Sequence, residues 1–149
     1  MNLSKKSRYG ITALIDLAVY AGNQCVQLSS IAERNKISVK YLEQIFSSLR
    51  RAELVKSVKG PQGGYLLAKK PESITVADVI HALEGSYLLE DERSVVSGAD
   101  EKGISTAIQK LLIEQMNDQT DKLLKQLTLK TLVDSSLKYS QDGQEMYYI

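Results

Sequence analysis

The stretch LVKSVKGPQGGYLLAKK, residues 54–70, places a glycine-rich tip between two runs of apolar and β-branched residues. The runs Val55 to Lys59 and Gly64 to Ala68 have the composition of strands. Pro61 suits the second position of a turn because its φ is fixed, and the paired glycines after it permit positive φ on the return. The stretch therefore predicts a β-hairpin.

Three helices are predicted ahead of this hairpin. The first covers Lys6 to Tyr20 and stops at the following Ala-Gly-Asn. Ser30 and Glu33 have the spacing of a capping box that opens the second, and Ser38 is placed to cap the third. The third helix has a core-facing stripe at i, i+3, i+4 and i+7, made of Leu42, Ile45, Phe46 and Leu49. Three helices followed by a hairpin predict a winged helix-turn-helix.

A second part of the chain follows. Thr75 and Asp78 open a fourth helix that ends at Gly85, and residues 86–103 have the weak periodicity of a loop. A long helix then starts at Ile104, and a last one covers about 129–139. The long helix has an apolar face that a small domain cannot bury alone, which favours a homodimer interface formed by Ile104, Ile108, Leu111 and Leu112.

The predicted fold is thus mainly α with a small β-hairpin. We expect residues 1–85 to form a winged helix-turn-helix domain, 86–103 a linker, and 104–149 the dimerisation helix with a C-terminal helix and tail. The 149 residues are 43% hydrophobic and 25% charged, which is enough for a folded core. No apolar run approaches the ~20 residues of a membrane span, and the amino end lacks a signal-peptide pattern, so we expect a cytoplasmic protein with no membrane partner.

Charge is divided unequally along the chain. Residues 1–70 contain twelve lysines and arginines against four acids, a net charge of +8, whereas the remaining residues contain seven against fourteen, a net charge of −7. The overall charge of +1 hides this asymmetry. A basic working surface on the first part is one explanation, and uneven salt bridging within one fold is the other.

Catalytic and nucleotide-binding patterns are missing from the sequence. A phosphate loop requires Gly-Lys-Ser/Thr before a helix, but Gly64 precedes a strand-like run. His81 lies in an amphipathic helix with no nucleophile pair, which favours a partly buried structural role. The single cysteine, Cys25, excludes an intramolecular disulfide framework and any multi-cysteine metal site, and Glu90 to Glu92 read as a solvated loop. We therefore expect no enzyme, no metal and no cofactor.

DNA explains the basic part best. On the third helix, the face opposite the apolar stripe carries Lys40, Glu43, Gln44, Ser47 and Arg51. Lys40 and Arg51 can contact phosphates, while Glu43 can accept from cytosine and Gln44 can pair with adenine. Phosphate contacts are also expected from Arg8 and from the hairpin lysines Lys56, Lys59, Lys69 and Lys70. The alternative is that Glu43 merely pairs with Lys40 or Ser47 on a solvated face.

The segments SRYGITALIDLA, SSIAERNKISVKYLEQIFSSLRRAELVKSVKGPQGGYLLAK and ITVADVIHALEG resemble the Rrf-type family of bacterial winged-helix regulators, continuously over residues 1–85. The resemblance implies a homodimer that binds double-stranded DNA at a palindromic operator. Carried onto this sequence, it places DNA contacts at Ser38, Lys40, Tyr41, Glu43 and Gln44, and at Lys59, Gly60, Pro61, Gln62, Gly63 and Gly64. Many relatives have arginine where this chain has Lys59, and lysine lacks the planar fork that reads a groove.

One departure from the family bears on its sensor. Cluster-binding relatives carry three closely spaced cysteines after the fourth helix, whereas SYLLEDERSVVSGADEKGIST, residues 86–106, contains none. Thiolates hold such clusters, so the resemblance is to the cluster-free branch that controls cysteine metabolism. The ending DGQEMYYI is similar to that branch. This implies a repressor that associates with O-acetylserine sulfhydrylase.

Three alternatives stay open on sequence alone. Cys25 is either a redox-active thiol near the basic surface or a plain small apolar residue. The winged helix could serve as a protein-interaction adaptor that does not read DNA sequence. A DNA-binding regulator could also sense a different small ligand, held between the first domain and the long helix.

Overall fold

The computed structural model describes residues 3–91 and 102–147, with side chains as far as residue 142. The first part contains helices α1 to α3, strands β1 and β2, and helix α4. The second part contains α5, a π-helical turn at Gln109–Ile113, α6 and α7. The bounds are α1 Lys5–Ala21, α2 Leu28–Asn35, α3 Val39–Arg51, β1 Val55–Val58, β2 Gly64–Leu67, α4 Val76–Glu84, α5 Ile104–Ile108, α6 Glu114–Gln126 and α7 Leu129–Tyr147.

Helices α1 to α4 enclose one hydrophobic core. The predicted stripe of α3 is fully buried there, together with Leu14 and Leu17 of α1 and Ile31 of α2. Asp16 ties α1 to α2: its carboxylate accepts from Arg34 Nε at 3.0 Å and Nη2 at 2.7 Å, and from Asn35 Nδ2 at 2.8 Å. The first two helices are therefore fixed as a platform for the third.

Local capping signals place the starts of α3 and α4. Ser38 Oγ accepts from Tyr41 N at 3.0 Å, as predicted, and Thr75 and Asp78 form a complete capping box. The predicted box at Ser30 is wrong, because α2 begins at Leu28 after Gln27. Ser30 lies within the first turn and its N–H donates to Gln27 O at 3.1 Å.

The hairpin forms with β1 and β2 antiparallel and with Val55 opposite Leu67. A third segment extends it, because Val26 N donates to Tyr65 O at 2.9 Å and Tyr65 N donates to Val26 O at 2.8 Å. The fold is thus mainly α with a small β-hairpin, arranged as the predicted winged helix-turn-helix.

The second part packs on the first at two places. Val76 N donates to Leu127 O at 2.9 Å and Leu129 N donates to Ile74 O at 2.8 Å, which joins the start of α4 to the α6–α7 junction. Near the middle of the helix 104–126, Asn117 of α6 contacts the segment that follows α4. Leu89 N donates to Asn117 Oδ1 at 2.8 Å, and Asn117 Nδ2 donates to Leu89 O at 2.9 Å. The helix 104–126 is thereby held beside α4 at both its middle and its end.

The last helix is longer than expected, since α7 continues to Tyr147. Of the predicted loop 86–103, residues 86–91 are irregular as expected, while 92–101 lie outside the described residues. No helix in the described ranges is long and apolar enough to cross a membrane.

Candidate nucleic-acid interface

Helix α3 presents a polar face to solvent because its apolar stripe is buried in the core. Lys40, Glu43, Gln44 and Arg51 are exposed on that face, and Ser47 is half-buried. The five predicted side chains therefore share one side of one helix. Such a helix can enter the major groove with donors and acceptors directed at base edges.

The start of α3 is held against α1. Ser38 Oγ serves as the cap, and Tyr41 is half-buried, with its ring packed edge-on against Tyr9 at a centroid distance of 5.8 Å. The Nζ of Lys5 lies 5.9 Å from the centroid of the Tyr9 ring. These contacts set the angle at which α3 leaves the domain, so Tyr41 lies at the edge of the polar face rather than at its centre.

Glu43 does not pair with a neighbour. Among the described residues, no lysine or arginine forms a salt bridge with its carboxylate, although Lys40 is one turn away. An unpaired acid on a basic surface repels phosphates unless a base donor meets it. The carboxylate of Glu43 is thus exposed, and its pairing with Lys40 is not observed as a salt bridge among the described residues.

Arg50 is a further candidate for this surface that the sequence reasoning missed. It is exposed, and its Nη1 lies 3.5 Å from Ser57 Oγ on β1, so it bridges α3 and the wing. The signal was present, because Arg50 follows Glu43 by seven residues and so lies on the same helix face.

The wing tip is a tight turn in which Gly63 N donates to Gly60 O at 2.9 Å. Gly60 has φ +112°, in the region that favours glycine. Gly63 is required for a different reason, since a Cβ there would lie 2.2 Å from Val58 O. The residues Lys59, Pro61 and Gln62 are exposed around this turn. The tip is narrow enough for its backbone to approach a groove.

The base of the wing is braced by the core and by the turn before α2. Tyr65 packs edge-on against Phe46 of α3, with ring centroids 4.9 Å apart. A Cβ on Gly64 would lie 2.5 Å from Val26 O, so this position also needs glycine. Cys25 is half-buried, and its Sγ–H donates to Gln62 O at 3.0 Å. The thiol of Cys25, which the sequence offered as a redox candidate, therefore contacts the wing directly.

The remaining predicted phosphate contacts are spread around this surface. Lys56, Lys69 and Lys70 are exposed on or beside the hairpin strands. Arg8 is exposed on α1, next to Tyr9, which packs on α3. Among the described residues, the side chain of Arg8 forms no hydrogen bond or salt bridge to α3 or the wing.

His81 lies away from this surface and is exposed, not partly buried as predicted. It occupies the last turn of α4, where its Nδ1–H donates to Gly85 O at 2.5 Å. Its ring packs against Tyr87, with centroids 4.7 Å apart. The backbone carbonyls at the end of the helix explain the position of the imidazole.

Comparison with known proteins gives this surface its context. The family model described as Rrf2, iron-dependent transcriptional regulator, matches residues 3–135. The chain belongs to the Rrf2 family. It is 48% identical to the HTH-type transcriptional regulator CymR of Bacillus subtilis over 96 residues, which are 62% of this chain and 70% of that one. It is 38% identical over 135 residues to the HTH-type transcriptional regulator IscR of Photorhabdus laumondii, covering 91% of this chain and 80% of that one.

The fold agrees with these Rrf2 relatives. The solved structure of CymR, described as the global cysteine regulator of B. subtilis, matches with a TM-score of 0.76 at 38% identity, covering 91% of this chain and 98% of that one. The chain is accordingly a DNA-binding transcriptional regulator of the Rrf2 type, close to CymR. Its homologues are transcriptional regulators, a class of proteins that are generally not enzymes.

The residues of this Rrf2 protein do not fit an iron–sulfur cluster. Such clusters are held mainly by cysteine thiolates, and the chain has one cysteine, which is engaged at the wing tip. Among the described residues, no three histidine, cysteine, aspartate or glutamate side chains converge as a metal site.

Proposed function

We propose that this protein is a homodimeric repressor that reads a palindromic operator with α3 and the wing of each subunit. The observation that carries the proposal is the exposed face of α3, with its unpaired Glu43, beside the lysine-flanked wing. Phosphates would be contacted by Arg8, Ser38, Lys40, Arg51, Lys56 and Lys59. Base edges would be read by Glu43 and Gln44, with Tyr41, Ser47 and the tip residues Gly60, Pro61, Gln62, Gly63 and Gly64 completing the interface.

The dimer would form through the helix 104–126. Its predicted interface residues are exposed in the single chain: Ile104 is 58% exposed, Ile108 51%, Leu111 77% and Leu112 51%. A contiguous apolar face of this kind is unusual on a monomer and is suited to a two-fold pair. A dimer would set the distance between two α3 helices at about one DNA turn, ~34 Å. Residues 1–85 would thus bind DNA, and 104–149 would pair the subunits.

Control of cysteine and sulfur genes is the regulatory role that we propose. The support is the similarity to CymR, a cysteine regulator, together with the lack of cluster-holding cysteines. The partner would be O-acetylserine sulfhydrylase, engaged by the tail 142–149. Removal of this tail should abolish association with that enzyme in a pull-down while leaving operator binding unchanged.

A small-molecule signal is a second candidate, supported by a cavity of about 600 Å³ between α4, residues 86–90 and α6. Its walls are mainly apolar and include Ile80, Leu88 and Leu124. The volume is in the range of small-ligand sites. A compound that binds there should change operator affinity without O-acetylserine sulfhydrylase.

The deciding experiment is selection of genomic DNA fragments on the purified protein at moderate and at higher salt. A shared palindrome upstream of sulfur-uptake or cysteine-synthesis genes supports the whole proposal. A palindrome before other genes retains the repressor and removes the cysteine role. Retention of all fragments that disappears with salt would contradict sequence reading and favour an adaptor.

A further inference from the structure

Val39, the first residue of α3, has an exposed apolar side chain on a helix whose other aliphatic residues are buried. Its side chain is 41% exposed, whereas Leu42, Ile45 and Leu49 are fully buried. No role for Val39 follows from the stripe, because it precedes the stripe by three residues and lies at its margin. The exposed methyl groups therefore require a different explanation.

The start of the helix does not need Val39. Ser38 supplies the capping oxygen, with Tyr41 N at 3.0 Å. Ile37 and Leu42 occupy the two positions of a hydrophobic staple, and both are buried, with exposed fractions of 8% and 0%. Capping and stapling are thus complete with other side chains.

The location of Val39 matches a base-reading position. It precedes Glu43 by four residues, so the two side chains are neighbours on the helix surface, one turn apart. In helix-turn-helix proteins, the first residues of the recognition helix contact the base edges. Apolar side chains at such positions contact the C5-methyl group of thymine, the one apolar feature of the major groove.

We infer that Val39 is a specificity-determining residue that recognises a thymine methyl group beside the base read by Glu43. This inference rests on the proposed operator binding and adds the chemistry of one further base. Valine is suited to the contact because its χ1 is restricted, so little side-chain freedom is lost on binding. Burial of one methyl group corresponds to about a fourfold change in affinity.

The test uses the palindrome recovered by genomic selection and the full-length protein. Each thymine of a half-site is replaced in turn, symmetrically, by deoxyuridine, which lacks only the methyl group. Binding of wild type, Val39→Ala and Val58→Ala is measured by fluorescence anisotropy. Val58 is the matched control, since it is also a valine, is 43% exposed and lies on the wing.

At one thymine, deoxyuridine should weaken wild-type binding about fourfold per half-site. Val39→Ala should bind the thymine operator more weakly and be indifferent to deoxyuridine at that position. Val58→Ala should keep the wild-type response to deoxyuridine.

Two results would overturn the inference while leaving operator binding intact. One is tolerance of every deoxyuridine by the wild type, and the other is an equal response of wild type and Val39→Ala at all positions. Failure to recover any palindrome would instead overturn the proposed function, and the inference with it.

Discussion

Single atoms at the wing tip fix the conformation of that loop. The missing Cβ of Gly63 leaves room for Val58 O, and the thiol of Cys25 donates to Gln62 O from the other side. A change at either point moves backbone that is proposed to enter a groove.

Oxidation of Cys25 should weaken operator binding. Sulfinic acid formation replaces an S–H donor with an anionic group opposite the carbonyl of Gln62, which repels the wing tip. We expect peroxide to lower the affinity of the wild type, and Cys25→Ser to bind normally and ignore peroxide. Anisotropy titrations before and after treatment measure this, with a sample kept in reductant and never exposed to peroxide as the control. If both proteins respond alike, Cys25 is a small packing residue without a redox role.

The substitutions Glu43→Ala and Lys59→Ala should impair DNA binding in different ways. Glu43→Ala removes a base acceptor, so we expect relaxed preference at one position per half-site. Lys59→Ala removes a phosphate contact, so binding to every sequence should weaken, and the salt slope should fall by about one per subunit. Titrations of operator and random duplexes at several salt concentrations separate the two effects. Identical behaviour of the variants on both duplexes would refute this division of roles.

At the scale of elements, a hydrogen bond between two titratable side chains, Tyr87 and Asp121, joins the segment after α4 to α6. Tyr87 is 9% exposed, and its hydroxyl donates to Asp121 Oδ1 at 2.5 Å. Asp121 also pairs with Lys125 at 2.9 Å. The hydrogen bond from Tyr87, followed by that from Lys125, lowers the pKa of Asp121. The contact is therefore complete at neutral pH, and its contribution is lost as the pH falls through the lowered pKa.

The alkaline limit of this contact should be measurable. Burial, followed by the hydrogen bond to Asp121, raises the pKa of Tyr87 to about 12 from a usual 10.0. The raised pKa stabilises the fold fully below about pH 10, and this stabilisation is lost as the pH rises through about 12.

Tyr87→Phe should be less stable than wild type at pH 7 and should lose less stability between pH 10 and 12. Urea unfolding across this range tests it, with the 73% exposed Tyr139 changed to Phe as the control. Parallel curves for wild type and Tyr87→Phe would contradict the proposed linkage.

Elements specified by neighbouring residues were predictable, and those specified at a distance were not. Ser38, Thr75 and the glycine turn act within a few residues, so α3, α4 and the hairpin followed from the sequence. The start of α2 was missed because Val26 pairs with Tyr65, far along the chain. Tyr87 and Asp121 are 34 residues apart and carry no local pattern that joins them.

In the whole molecule, the basic residues and the exposed apolar surface are concentrated in different portions of the chain. Residues 1–70 carry the net charge of +8 and the polar face of α3, whereas residues 71–149 carry −7 and contain an exposed apolar helix. An acidic second part disfavours phosphate contact there and directs DNA to the wing side. Pairing through the second part would leave both basic surfaces free.

Leu111→Asp should convert the protein to a monomer. Leu111 is 77% exposed at the centre of the proposed interface, where a carboxylate would be desolvated in the dimer. Light scattering should report half the wild-type mass, and operator affinity should fall towards that of a single half-site. Leu137→Asp, on α7 and 46% exposed, is the control that should remain dimeric. A monomeric wild type would contradict the proposed dimer, and a dimeric Leu111→Asp would place its interface elsewhere.

The backbone pairing of Ile74–Val76 with Leu127–Leu129 has a consequence for how such genes can recombine. A crossover near codon 85 would join residues 1–85 of one regulator to the second part of another. In each chimera, residues 74–76 would have to form this backbone pairing with residues 127–129 of a different protein. Ala77 and Ile80 would also meet side chains that did not evolve against them, because both are packed below 10% exposure beside α6. A crossover just before residue 74 would keep this backbone pairing within one parent, but Val79 and Leu83 of α4 would then have to pack in the core of a foreign α1 and α3.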